Sequence, residues 1–314
     1  MLHRFLIDIS DIALPERFTW PFHYEPHRLS CLAAEQVQSY LQEHTEWHKE
    51  IAQGKMFGVL IVRDSNGELG FLAAFSGNLD GKNCHSYFVP PIYDMLQPGD
   101  FFRRGEAEIS AINRAISDYT SSAEYISARE SLDSTKQQLE AELAELKAIH
   151  KERKAARDER RKRGEDENIL ITESQRDNAD MQRLKRTTRE NIAALQKMFD
   201  AQQQHINELK ALRQRLSASL QMQLFKQFHI LNARGEVKDL CEIFANTAQG
   251  VPPAGAGECA APKLLQYAYL HHLQPIAMAE FWLGASPRGE VRHHGAYYPA
   301  CNGKCKPILS HMLE

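Results

Sequence analysis

The stretch NIAALQKMFDAQQQHINELKALRQRLSASL, residues 191–220, decides the fold. Its apolar residues alternate three and four positions apart, the spacing that places side chains along one stripe of a helix. Nine positions keep this register, and seven of them are apolar: Ile192, Leu195, Phe199, Gln202, Ile206, Leu209, Arg213, Leu216 and Leu220. The stretch therefore predicts a long helix whose apolar seam packs against a second helix.

The surrounding segment, residues 105–234, contains no proline and only one internal glycine, Gly164. Its first half carries two apolar registers, Ile109 to Tyr119 and Tyr125 to Leu146, which implies a stutter between them. Gly164 lies near the midpoint, where we expect the chain to reverse. The segment predicts an antiparallel coiled-coil hairpin with arms of about 60 residues, each on the order of 90 Å long.

The flanks, residues 1–104 and 235–314, have the composition of globular protein. MFGVLIVRDSNGELGFLAAFSG, residues 56–77, contains two apolar runs around Asn66 and Gly67, a strong hairpin signal. Nearly continuous apolar runs are typical of strands that are buried on both faces. Residues 31–52 have helical spacing ahead of this hairpin.

The second flank reads as an apolar helix at 259–273, a strand at 275–283, a turn at 284–289 and a helix after Cys301. These elements complete the sheet of the first flank. The predicted fold class is α/β (α+β): one discontinuous globular domain of sheet and helices, interrupted by the coiled-coil hairpin. An antiparallel hairpin is easily inserted, because its two ends lie together.

Composition excludes some classes of protein. The formal net charge is only -3, so attraction to nucleic acid must come from local clusters of charge. The apolar runs are much shorter than the roughly 20 residues of a membrane span. Asp8, Asp11 and Glu16 interrupt the N-terminus where a signal peptide would be apolar. We therefore expect a cytoplasmic protein with reduced cysteines and no membrane partner.

Basic residues are concentrated near the expected tip of the hairpin, at about 150–165. The candidate RNA-binding residues there are Lys151, Arg153, Lys154, Arg157, Arg160, Arg161, Lys162 and Arg163. One interpretation is a solvated helix end rich in ion pairs within the hairpin. The other is a finger that contacts the phosphates of structured RNA, without base stacking, because no aromatic residue lies among the cations.

Cysteines cluster near the end of the chain. Cys301 and Cys305 in CNGKC would lie on one face if a helix began there, and Cys259 starts the preceding helix. Three such thiolates can bind one structural zinc ion, with His293, His294 or water as the fourth ligand. The alternative is that these cysteines are small buried residues without metal.

The order of hairpin, ligand-bearing helix, strand and second cysteine helix resembles the zinc-dependent nucleobase deaminases. Those enzymes place a glutamate two residues after the first ligand and use a Cys-x-x-Cys pair. Here Ala261 takes the glutamate position, and the cysteine pair is one residue wider. Glu258 and Glu280 are nearby carboxylates at different spacings. The resemblance implies a deaminase-like scaffold without that activity.

A second resemblance covers nearly the whole chain. It is carried by HRFLIDISDIALPERFTWPFHYEPH, GKMFGVLIVRDSNGELGFLAAFSGNLDGKN, YFVPPIYDML and the closing GECAAPK…RHHGAYYPACNGKCKPILSHML. These strings resemble the long N-terminal region that precedes the catalytic domain in a subset of RluA-type RNA pseudouridine synthases. That family's catalytic aspartate lies in a His-Arg-Leu-Asp motif. Here His27, Arg28 and Leu29 are followed by Ser30, so no catalytic residue is assigned.

The resemblance implies an accessory RNA-engaging region whose partners are a transfer or ribosomal RNA and a synthase domain following Glu314. The chain is then either a separated piece or a stand-alone relative, and alone it should not isomerise uridine. A third interpretation remains open. The coiled coil could serve as a protein-docking arm or as the interface of a homodimer, since apolar seams also pair between chains.

Overall fold

The computed structural model describes all 314 residues, which divide into two compact units. The globular unit comprises Met1–Gly105 and Ala218–Glu314, and the helical unit comprises Glu106–Ser217. The second part of the globular unit begins at Ala218 and not at residue 235, because Leu224, Phe225 and Phe228 belong to its core. No helix is long and apolar enough to cross a membrane.

The elements are numbered in chain order. The helices are α1 (Arg28–Glu43), α2 (His48–Ile51), α3 (Phe101–Thr120), α4 (Ala123–Lys162), α5 (Glu167–Gln227), α6 (Leu240–Ala245), α7 (Ala260–Leu270) and α8 (Cys305–Met312). The strands are β1 (Lys55–Arg63), β2 (Leu69–Phe75), β3 (Ile230–Leu231), β4 (Val237–Lys238), β5 (Gln274–Leu283) and β6 (Tyr297–Tyr298). The protein thus combines helices with small antiparallel sheets.

A four-stranded antiparallel sheet in the order β2-β1-β5-β6 forms the centre of the globular unit. The predicted hairpin of β1 and β2 is confirmed. Asp64 fixes its turn, since Oδ1 accepts hydrogen bonds from the backbone N–H groups of Asn66 and Glu68 at 2.9 and 3.0 Å. The strand predicted at 275–283 is also confirmed as β5, which pairs with β1.

Both faces of this sheet are buried, as the continuous apolar runs predict. Val59 and Ile61 of β1 pack on one face with residues of α1, including Val37. Leu60 and Val62 alternate with them and pack on the other face with α7 and α8. Alternate side chains of a strand point to opposite faces, so β1 contributes to two cores.

The helical unit is a bundle of α3 and α4 against α5. The outgoing arm is two helices and not one, with the break at Ser121–Ser122. The hydroxyl of Ser122 accepts a hydrogen bond from the backbone N–H of Tyr125 and so caps the start of α4. Here the stutter between the two apolar registers has become a break in the helix. The chain reverses at Gly164, where φ is +79°, as predicted.

Contacts between the arms show that they run antiparallel. Going outward along α4, Tyr125 donates to Gln203 at 2.8 Å, Lys136 to Gln196 at 3.0 Å and Arg157 to Asp177 at 2.6 Å. Eight of the nine seam positions are at least partly buried, Arg213 being the exposed one. Most seam positions are half-buried, as expected for a narrow bundle, and only Ile206 is fully buried, at 1% exposed.

Candidate functional site

The predicted basic tip contains a covered ion cluster. The guanidinium of Arg157 donates to Asp177 Oδ2 at 2.6 Å, and that of Arg153 donates to Oδ1 at 2.9 Å. His150 lies 3.7 Å from the same carboxylate. Burial raises the pKa of the Asp177 carboxyl, but the hydrogen bonds from both arginines and the nearby charges outweigh it, so the pKa lies below its usual range. The cluster joins α4 to α5.

The other cations at the reversal are also paired. The pairs are Arg160 with Glu165 and with Glu173, Arg161 with Asp158 and with Glu167, and Lys162 with Glu159. These carboxylates belong to the hairpin itself. Five of the eight candidate RNA-binding cations are therefore largely neutralised within the protein, as the ion-pair interpretation of the tip expects.

Three candidates, Lys151, Lys154 and Arg163, are exposed and make no ion pair. Lys147, which lies before the run of charges, is also exposed and unpaired. Residues 147, 151 and 154 are four and three positions apart, so their side chains share one face of α4. We call Lys147, Lys151 and Lys154 the lysine row.

Helix α5 carries further cations outside the basic run of the tip. Those that are exposed and unpaired are Arg176, Lys185, Arg186 and Arg189. Arg176 is level with Lys154, since Asp177 next to it binds Arg153 and Arg157. No aromatic residue lies between residues 147 and 190. The free cations therefore offer charge to phosphates but no platform for stacking bases.

The three predicted metal-binding cysteines do converge in the globular unit. Cys259 is the N-cap of α7 and Cys305 is the first residue of α8. Cys301 precedes α8. The prediction that it shares a helical face with Cys305 is wrong, because residues 302–304 form a turn. This turn is closed by the backbone N–H of Lys306, which donates to the carbonyl of Cys301 at 3.1 Å.

The three thiols lie close enough to shift the pKa values of one another. Cys301 accepts from Cys259 and Cys305, which holds the pKa of the Cys301 thiol far below its usual range. Donation to Cys301 raises the pKa of Cys259 to about 12, and donation to both others raises that of Cys305 further.

A buried carboxylate accompanies these cysteines. Glu280 of β5 is 4% exposed, and its Oε1 accepts a hydrogen bond from the backbone N–H of Ala261 at 3.2 Å. Burial raises its pKa to about 7. The first turn of α7 lacks a glutamate at Ala261, and the neighbouring strand supplies a carboxylate at that place. Spacing along the sequence does not reveal the closeness of Glu280 to Ala261, because these residues meet only where β5 lies beside α7.

The histidines predicted as a fourth ligand have other contacts. Nδ1 of His294 accepts from the backbone N–H of Gly284 at 3.0 Å. The backbone N–H of His293 donates to the hydroxyl of Tyr298 at 2.6 Å. As the side chains lie in this structure, no group of three or more histidine, cysteine, aspartate or glutamate residues is arranged to hold a metal ion. The zinc ion therefore stays a prediction.

Lys263, one turn after Cys259, is an unusual buried cation. It is 2% exposed, and its Nζ donates to the carbonyls of Phe75 and Gly77 at 3.0 and 3.3 Å. Burial lowers its pKa to about 8. Lys263 thus joins α7 to the end of β2 and the residues after it. Its place in an apolar helix does not predict these contacts.

Comparison with known proteins gives no relative. No family model, no curated protein and no solved structure matches this chain.

Proposed function

We propose that this chain is an accessory, RNA-engaging region of an RluA-type RNA pseudouridine synthase. One observation carries the proposal: the helical unit presents exposed cations that no carboxylate of the protein neutralises, with the lysine row at their centre. Lysines on one helix face can follow a sugar–phosphate backbone. Their free charge is what distinguishes them from the paired arginines of the tip.

The chemistry of this surface favours recognition of backbone over recognition of bases. The chain as a whole is slightly acidic, with a formal charge of -3, so attraction to RNA must be local. The absence of aromatic residues beside the free cations favours a folded RNA, which proteins recognise through its shape and phosphates. We therefore propose transfer or ribosomal RNA as the partner, in the cytoplasm.

The surroundings of Ser30 support an accessory role and not a catalytic one. In the family that the sequence resembles, this position of the His-Arg-Leu motif holds an aspartate. Here His27 caps α1, and Ser30 is 0% exposed inside that helix. A fully buried serine cannot meet a nucleotide. We propose that a separate synthase domain, carrying the aspartate, acts together with this chain.

Binding of folded RNA by the intact chain tests the proposal. The variant Lys147→Gln/Lys151→Gln/Lys154→Gln removes the lysine row, and fluorescence anisotropy at low salt measures its affinity for transfer RNA. We expect a loss of about tenfold or more, because three phosphate contacts disappear.

A matched control removes the same charge elsewhere. Arg17→Gln/Lys49→Gln/Lys238→Gln changes three exposed, unpaired cations of the globular unit. It should bind RNA as the unmodified chain does. Equal affinity of the lysine-row variant and this control would refute the proposal, as would failure of the unmodified chain to bind any folded RNA at low salt.

A further inference from the structure

We propose that a groove of the globular unit binds an extended, basic peptide segment of another protein, in which two cationic residues flank an aliphatic one. The groove has a volume of about 360 Å³ and lies between α1 and the N-terminal segment, residues 3–7. The lysine row belongs to the helical unit and lines no part of this groove, so the proposal does not rest on RNA binding.

Gln36 of α1 fixes one side of the groove. Its side-chain amide accepts a hydrogen bond from the backbone N–H of Leu6 at 3.2 Å and donates one to the carbonyl of Arg4 at 3.1 Å. The backbone of His3 exchanges two further hydrogen bonds, each of 2.9 Å, with Phe71 of β2. The N-terminal segment is therefore held against both α1 and the sheet, and the groove is preformed.

The N-terminal segment presents aliphatic side chains to solvent at the groove. Leu6 is 83% exposed, and Ile7 beside it is 54% exposed. Leu32 adds a third aliphatic side chain from α1. Adjacent exposed aliphatic residues that line a preformed groove are typical of an interaction surface. An aliphatic side chain of a partner would remove this apolar surface from water.

Two unpaired carboxylates give the groove its charge. Glu35 and Glu43 line it from α1, and both are exposed and make no ion pair. Arg4 does not neutralise them, because its guanidinium is bound to Asp64 and Glu68. Glu43 also ends α1, where the helix dipole is negative and the last turn carries no basic residue. The groove therefore attracts cations and repels the phosphates of RNA.

The spacing of the carboxylates determines which cations fit. Glu35 and Glu43 are eight residues apart, which corresponds to about 12 Å along a helix. In an extended segment, residues i and i+4 are about 13 Å apart, and residues i, i+2 and i+4 point to the same side. Lysines at i and i+4 would therefore reach both glutamates, while an aliphatic residue at i+2 contacts the apolar side chains between them.

Fluorescence anisotropy of a peptide with a neutral dye tests the site in the intact chain. The probe is Ala-Lys-Ala-Leu-Ala-Lys-Ala with both ends blocked, in which lysines at i and i+4 flank the leucine. The control peptide, Ala-Lys-Lys-Ala-Leu-Ala-Ala, has the same composition and charge. At low salt we expect the probe to bind at least about fivefold more tightly than the control peptide, because only its lysines reach both carboxylates.

Matched variants of the chain locate the binding. Glu35→Gln/Glu43→Gln should weaken binding of the probe about fivefold or more, because two ion pairs are lost. Glu16→Gln/Glu25→Gln removes two exposed, unpaired carboxylates outside the groove and should leave the affinity unchanged. Leu6→Ala should weaken binding about threefold, since it removes apolar contact surface. Circular dichroism confirms that each variant keeps the fold.

Equal affinities for the probe and the control peptide would overturn the proposal, because general attraction of charge would then explain the binding. Absence of probe binding at low salt would also overturn it. So would equal affinities of the Glu35→Gln/Glu43→Gln variant and its matched control. None of these measurements uses RNA, so their failure is distinct from failure of the proposed function.

Discussion

Asp177 is the residue on which the register of the helical unit should depend most. It accepts hydrogen bonds from two arginines of the opposite arm, and replacing it by alanine removes both. The Arg157–Asp177 bond is covered, since each side chain is 9% exposed, whereas the side chain of Arg153 is 56% exposed. The covered bond should therefore account for most of the effect.

The magnitude follows from these two contacts. A hydrogen bond to a charged group contributes about 1.5–3 kcal/mol, and an exposed ion pair about 0–1 kcal/mol. We expect Asp177→Ala to lower the free energy of unfolding of the helical unit by about 2–3 kcal/mol. Breaking a deeply buried pair costs about 3–5 kcal/mol, but here the loss should be smaller, because Arg157 and Asp177 lie in a narrow bundle and are still 9% exposed.

Urea unfolding followed by far-ultraviolet circular dichroism measures this loss. Asp180→Ala is the matched control, because Asp180 lies one turn away and only approaches Arg183 at 4.0 Å. That change should cost no more than about 0.5 kcal/mol. The double change Arg157→Leu/Asp177→Leu should recover most of the stability, since the one charge that loses its partner, on Arg153, is 56% exposed to solvent. Equal losses for Asp177→Ala and Asp180→Ala would refute the reasoning.

Other parts of the structure give three further predictions. Gly58→Val should destabilise the globular unit by about 1–3 kcal/mol in urea unfolding, because its side chain would collide with Ala260, and an unchanged midpoint would contradict the close approach. In the folded chain the pKa of Lys263 is about 8, whereas in the unfolded chain it has its usual value of 10.5. Between these pH values only the unfolded chain keeps the proton. The unfolding free energy should therefore rise by up to about 3 kcal/mol between these pH values, and Lys263→Met should lack this rise; parallel pH profiles would exclude it. The chain alone should form no pseudouridine in transfer or ribosomal RNA fragments, as measured by a label that detects this mass-neutral isomerisation. Any product would contradict the proposal that this chain, with Ser30 fully buried, is an accessory region.

Local sequence signals predict much of the fold. Asn66 and Gly67 identify the hairpin because their turn requires residues that adopt unusual backbone angles. Gly164 identifies the reversal for the same reason, and the spacing from Ile192 onward identifies the seam. Each of these signals lies within a few residues of the structure that it predicts.

The end of the long helix was harder to predict. Residues 228–234 lack proline and glycine, so the helical pattern was expected to continue through them. In the structure α5 ends at Gln227, where Phe228 enters the globular core and Ile230 begins β3. Tertiary packing decided this boundary, and composition carried no sign of it.

The candidate sites depended on contacts between distant residues. The sequence shows the basic tip as a run of charge, whereas Asp177 and Glu173 on the opposite arm neutralise part of that run. Glu280 meets the cysteines only because β5 lies beside α7. The convergence of Cys259 with Cys305 was predictable from the order of elements, whereas the turn at Cys301 was not.

The RNA proposal is tested most directly by the salt dependence of binding. For the unmodified chain and the lysine-row variant, the association constant for transfer RNA is measured over a range of salt concentrations. Each phosphate contact contributes about 0.7–0.9 to the slope of log K against log salt. We expect the variant to lose about 2–3 from the magnitude of this slope, with no loss in the control that changes Arg17, Lys49 and Lys238. Identical slopes for all three proteins would contradict the proposal that the lysine row contacts RNA.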